Sequence, residues 1–125
     1  MSKLQGGQLV NTLGNYLYRH IDSAYNKEKS PNMIDIYFTV IYQLKEENRT
    51  PTDKDMHEMN LNINLTTYAD KIRMNIIELS PEEVTIGFNT FSIDKLQDMN
   101  SAYRLIMDTV KKRLSKKYQD YDFLF

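Results

Sequence analysis

The sequence predicts an α+β fold: a four-stranded antiparallel sheet, in the order α-β-β-β-β-α, with the two terminal helices packed on one face. Three observations lead to this expectation. In Leu61-Asn62-Ile63-Asn64-Leu65-Thr66-Thr67 apolar side chains fall on every second position, the period at which a strand shows alternate residues to opposite sheet faces. Amphipathic runs of helical period flank the strand region on both sides, and the strands from Leu61 to Phe91 are joined by connections short enough only for hairpins.

The first helix is expected from about Gln5 to Asn26, because Leu9, Val10, Leu13, Leu17, Ile21 and Ala24 recur at three- and four-residue steps. Gly14 inside this run costs about 1 kcal/mol relative to Ala, which a close helix-to-sheet contact would justify. Lys27 to Asn32 ends the helix, since Pro31 disfavours helical geometry in the residue before it. The first strand follows, with Ile34, Ile36, Phe38, Val40, Tyr42 and Leu44 on one face and Asp35, Tyr37, Thr39, Ile41 and Gln43 between them.

A polar loop is expected over 45–60, carrying Thr50-Pro51-Thr52-Asp53 as turn chemistry. Strand Leu61 to Tyr68 turns at Ala69-Asp70 into Lys71 to Leu79, and Ser80-Pro81-Glu82-Glu83 turns that strand into the last one. Val84, Ile86 and Phe88 are assigned to the inward face of this final strand. Leu96, Met99, Tyr103, Ile106 and Val110 predict the closing helix, capped by Ser92 or Asp94, with cations near its negative C-terminal end. An aromatic tail occupies 118–125.

Length and composition bound the function. With 125 residues, 41% hydrophobic and 26% charged, the chain fits one domain over 1–125 with a real core. Lys and Arg number 16 against 17 Asp and Glu, so the net charge of −1 gives no global attraction to nucleic acid or anionic lipid. The absence of cysteine removes disulfides, thiolate metal sites and thiol nucleophiles. Neither a membrane-spanning apolar run nor a leader pattern stands in the sequence, so the expectation is a cytoplasmic protein without a membrane partner.

No catalytic constellation stands out. His20 and His57 lack a partner at metal-ligand spacing, and Asp53, Asp55, His57 and Glu58 lack the glycine and terminal glutamate of a calcium loop. Gly6-Gly7 lacks the preceding strand and further glycines of a phosphate cradle. No serine sits in a nucleophile elbow. The expectation is therefore a protein that is not an enzyme and needs no cofactor or metal.

The sheet face turned away from the helices suggests more. Tyr37, Ile41, Tyr68, Ile77, Leu79 and Phe91 are assigned to it, a larger apolar set than a wet face requires. With Tyr121, Phe123 and Phe125 of the tail, the residues Tyr37, Ile41, Tyr68, Ile77 and Phe91 form the candidate interface for a homodimer or a protein partner. Charges expected on that face are Lys71 and Arg73 against Asp35 and Glu78.

From Lys71 to Leu114 a hairpin is followed by Lys95-Leu96 and Ala102-Tyr103-Arg104 on a helix with a basic end. In this stretch the chain resembles the small α-β-β-β-α proteins of the signal recognition particle's Alu domain. The resemblance implies an RNA binder, for which Lys111, Lys112, Arg113, Lys116 and Lys117 are the candidate patch. Two functions are thus carried forward: a non-catalytic interaction or assembly subunit, and, second, a small RNA-binding protein.

Overall fold

A computed structural model of the chain describes residues 3–21, 24–30, 32–45 and 56–124. Its architecture is α+β and antiparallel throughout: helix α1 (Gly6–His20), strands β1 (Tyr25–Ser30), β2 (Met33–Leu44), β3 (Met56–Tyr68), β4 (Lys71–Ser80) and β5 (Val84–Ser92), a 3-10 turn (Ile93–Leu96), helix α2 (Met99–Lys117) and strand β6 (Tyr121–Leu124). Among the described residues the sheet has six strands, in the order β1-β2-β3-β4-β5, and β6 pairs with β2 beyond the end of β1.

The four expected strands are present, but two more join them. Residues 25–30, assigned to the helix end and its terminating turn, instead form β1, with Tyr25 opposite Tyr37 and Ser30 opposite Met33. Helix α1 stops at His20 because Ile21 is already extended, its N–H returning to the Leu17 carbonyl at 2.9 Å. Lys27-Glu28-Lys29 shows no apolar alternation, yet charge is what a sheet's edge carries to discourage further pairing. The second addition is the tail, in which Tyr121–Leu124 lies along Ile41–Leu44. Helix α2 is therefore not terminal.

The polar loop is also shorter than expected. Strand β3 starts at Met56, and Met56, His57, Glu58, Met59 and Asn60 pair with Gln43 back to Thr39. Of the expected loop, 46–55 lies outside the described residues, including the turn at Thr50 to Asp53.

Directly opposed residues of antiparallel strands share a face. One face is therefore built from Ile34, Ile36, Phe38 and Val40 of β2, Met59, Leu61, Ile63 and Leu65 of β3, and Ile72, Met74 and Ile76 of β4, all buried. Both helices cover this inner face. Helix α1 buries Leu9, Val10, Leu13 and Leu17, and Gly14 brings its backbone against Ile34, whose Cδ1 and Cγ2 would lie 2.4 and 2.8 Å from an added Cβ. Helix α2 buries Ala102, Ile106, Val110 and Leu114 at four-residue steps. The Asp98 carboxylate caps it, accepting from the Asn100 N–H at 3.1 Å, while Ser92 caps the 3-10 turn ahead of it.

Strand β5 departs most from its own pattern. Ile76 faces Gly87 while its neighbour Ile77 faces Thr85, so β5 carries one extra residue, Ile86, at that point. The bulge reverses the alternation downstream. Phe88, assigned inward, lies opposite Asn75 on the outer face, and Phe91, assigned outward, lies opposite Ile72 and is 7% exposed. Arg113 of α2 fastens this site, donating from Nε to Asn89 Oδ1 at 2.8 Å and from Nη2 to the Phe88 carbonyl at 2.7 Å. Its guanidinium lies so close over Gly87 that an added Cβ there would stand 2.9 Å from Nη1.

Candidate interaction surface

The outer face is the alternate set and includes Asp35, Tyr37, Thr39 and Ile41 of β2, Glu58, Asn60, Asn62, Asn64, Thr66 and Tyr68 of β3, Lys71, Arg73, Asn75, Ile77 and Ser80 of β4, and Thr85, Phe88 and Thr90 of β5. Leu79, the extra residue of a bulge between Glu78 and Ser80, lies beside Tyr37 and Asn60. No helix among the described residues packs on it. Its middle is polar rather than apolar. Asp35 Oδ1 accepts from Asn64 Nδ2 at 2.8 Å, Thr66 donates to Asn64 Oδ1 at 2.7 Å, Thr39 donates to Asn60 Oδ1 at 2.7 Å, and Asn60 Nδ2 donates to Ser80 Oγ at 2.8 Å. Asn62, between Tyr37 and Ile77 on the neighbouring strands, is only 6% exposed.

Around this lattice stand the larger side chains. Ile41, Tyr68, Leu79 and Phe88 are exposed, and Tyr37 and Ile77 are half-buried. Arg73 places its guanidinium 4.4 Å from the centre of the Phe88 ring, a cation–π contact. Its buried Nε–H has no acceptor among the described residues.

Of the residues expected at an interface, Tyr37, Ile41, Tyr68 and Ile77 do share the outer face. Phe91 does not, because the β5 bulge turns it into the core. Glu78, expected among the outer charges, keeps the inward phase of Ile76 and is 1% exposed. Phe123 is buried at 2%, and Tyr121 is half-buried. Phe125 lies outside the described residues.

The inward rings form a column at one end of the core. Tyr42 stacks on His57 at 5.3 Å and on Tyr121 at 4.4 Å, and Tyr121 stacks on Tyr118 at 4.8 Å between ring centres. At its base Tyr118 donates its hydroxyl to Glu78 Oε1, while the Glu82 N–H donates to Oε2 at 3.2 Å. Burial pushes the Tyr118 hydroxyl far above the usual phenol range, reinforced by its hydrogen bond to Glu78. Burial, with Tyr121 beside it, also raises Tyr42. The column anchors the tail to the sheet. It holds a buried carboxylate with a donor on each oxygen, which is what burial of such a group requires.

The basic residues of α2 are partly committed elsewhere. Lys112 pairs with Asp108 at 2.9 Å, Arg113 is bound to β5, and Lys117 lies 5.9 Å from the Tyr118 ring centre. Lys112, Arg113 and Lys116 line a shallow groove with Asn89 and Thr109, and Lys111 lies about 100° round the helix from Lys112.

Two features of this geometry were not expected from the sequence. The asparagine lattice was signalled by Asn60, Asn62 and Asn64 on alternate positions of one strand, whereas nothing local marked Glu78 and Tyr118 as partners 40 residues apart. Comparison of the chain with family models, with curated proteins and with solved structures finds no match. No helix among the described residues is long and apolar enough to cross a membrane.

Proposed function

We propose that this protein is a non-catalytic assembly or interaction subunit that binds a second copy of itself, or another protein, through the outer face of its sheet. The observation that carries this is a face on which no helix among the described residues packs and where Ile41, Tyr68, Leu79 and Phe88 stand exposed around Tyr37 and Ile77. Asp35 and Glu58 balance Lys71 and Arg73 across it, so a copy of the same face meets no net repulsion. The hydrogen-bonded Asn and Thr lattice puts polar groups at the centre of the face, and non-obligate interfaces as a class are no more apolar than ordinary surface. Reversible, concentration-dependent association is therefore expected rather than a permanent dimer.

Light scattering at several concentrations tests this directly. The wild-type mass should rise with concentration, and Leu79→Lys combined with Phe88→Lys should remain monomeric with an unchanged circular dichroism spectrum. A wild-type chain that is monomeric throughout would rule out self-association. Association that survives both lysines would move the interface off this face.

RNA binding is the second reading. With Lys112 and Arg113 already paired within the chain, α2 offers fewer clustered cations than backbone neutralisation needs. A salt titration of RNA binding separates the two, since absence of binding at low salt ends the second reading.

A further inference from the structure

The two edge strands leave an interval along β2. The register of β1 ends at Tyr25 opposite Tyr37, and that of β6 ends at Leu124 opposite Ile41. A cleft of about 900 Å³ opens at this interval, bounded by the end of α1, by β2, by the first turns of α2 and by the end of β6. That volume lies within the range of small-molecule sites, which are concave, mostly apolar and furnished with a few polar groups.

The walls have this character. Ile41, Leu105, Met107 and Leu124 supply apolar surface from β2, α2 and β6, with the nearly buried Ile21, Phe38 and Val40 behind them. The polar groups are Arg104, Asp108, His20 and Tyr103, while the Thr39 hydroxyl is already bound to Asn60. Asp108, one helical turn from Arg104, is occupied by Lys112 at 2.9 Å. Arg104 is exposed and carries no hydrogen bond or ion pair among the described residues, so its guanidinium fork has no partner there at the mouth of the cleft. His20 is held in place at its side: Nδ1 lies 2.8 Å from the Tyr16 carbonyl, which can only accept, and its ring stacks on Tyr16 at 3.9 Å. In the neutral ring this fixes the proton on Nδ1 and leaves Nε2 as an acceptor.

We propose that this cleft binds small amphipathic anions, with the apolar body against Leu105, Met107 and Leu124 and a carboxylate on Arg104. An apolar compound alone would leave the guanidinium without its preferred fork-shaped partner, and a cation would meet like charge there. The cleft borders the outer face along Thr39, Ile41 and Leu124, and Arg104 on α2, which takes no part in the outer-face interaction, is the residue that tells the two readings apart.

Calorimetric titration with three probes of equal chain length tests it: dodecanoate and dodecyltrimethylammonium below their micelle concentrations, and dodecanol below its solubility limit. Dodecanoate should bind one to one, at least about 10-fold more tightly than the ammonium compound, which is about 1.4 kcal/mol. Arg104→Gln should erase that preference while leaving dodecanol affinity unchanged. Leu124 is at the surface, so Leu124→Trp should fill the cleft without unfolding the chain and weaken both dodecanoate and dodecanol. Failure of dodecanoate to bind, equal affinity for all three probes, indifference to Arg104→Gln, or indifference to Leu124→Trp in a chain of native circular dichroism would each overturn the proposal.

Discussion

Replacing Tyr118 with Phe removes one oxygen and nothing else from the aromatic column. The Phe ring can keep its stack on Tyr121 at 4.8 Å, so the loss isolates the hydroxyl that donates to Glu78. Glu78 is 1% exposed, leaving Oε1 without a donor while Oε2 keeps only the Glu82 N–H. A buried acceptor deprived of its partner costs roughly 1–3 kcal/mol. With a urea dependence of about 1.5 kcal/mol per molar, taken from the range for small proteins, a loss of about 2 kcal/mol lowers the unfolding midpoint by about 1.3 M. The same substitution has a signature in pH. Because the folded state raises the Tyr118 pKa above its ordinary value of 10.0, the folded chain holds that proton where the unfolded chain releases it. This contribution is fully present below about pH 10 and is lost as pH rises further, with a slope approaching 1.4 kcal/mol per pH unit for one proton. Tyr42, also raised, adds to the slope in the same direction. Urea unfolding at pH 8 and at steps above pH 10 should therefore show Tyr118→Phe less stable at pH 8 and less steeply dependent on alkali. A midpoint within about 0.3 M of wild type at pH 8, or an unchanged alkaline slope, would refute the assigned role of the Tyr118–Glu78 bond.

Two further substitutions test how the chain's backbone is held. Gly14→Ala gains about 1 kcal/mol of helix propensity but drives a Cβ to 2.4 Å from Ile34 Cδ1, and overpacking of this kind costs about 1–3 kcal/mol, so net destabilisation of about 1 kcal/mol is expected. Adding Ile34→Val should recover part of it in chemical denaturation, and a Gly14→Ala chain more stable than wild type would show that α1 does not press on β2. Ala69 opens the two-residue turn between β3 and β4 at φ 54, where a side chain is strained by roughly 1–2 kcal/mol, so Ala69→Gly should stabilise by up to about 1 kcal/mol after the entropy of glycine is set against it. A lower midpoint for Ala69→Gly would contradict that turn geometry.

Much of the frame was legible because a single periodicity decided each part of it. Ile34 to Tyr42 and Ile72 to Ile76 alternate without interruption, and the pairing of β2, β3 and β4 buries the same set that alternation selects. The hairpin at Ala69-Asp70 follows from an equally local pattern. Of the stripe expected on the closing helix, by contrast, Ile106 and Val110 are buried, Met99 and Tyr103 are half-buried and Leu96 lies in the 3-10 turn, with Ala102 and Leu114 completing the buried row. The outer face was legible only in part. Tyr37, Ile41, Tyr68 and Ile77 took their expected side, but the asparagines between them bond to one another and make its centre polar.

What the sequence determined by itself, then, is the fold class, the helix-facing core and the identity of the central strands, since each depends on which side chains avoid water along one element. Only the tertiary structure decided the remainder. Tyr25–Ser30 becomes a strand because β2 offers an edge, not because its own residues alternate. Phe88 and Phe91 exchange faces because the β4 pairing accommodates Ile86 as an extra residue, an event invisible within β5. The tail becomes β6 because Tyr121 meets Tyr42 and Tyr118, and Glu78 is buried because Tyr118 returns to it from the far end of α2. In each case the deciding contact joins residues far apart in the chain, where no local pattern can record it.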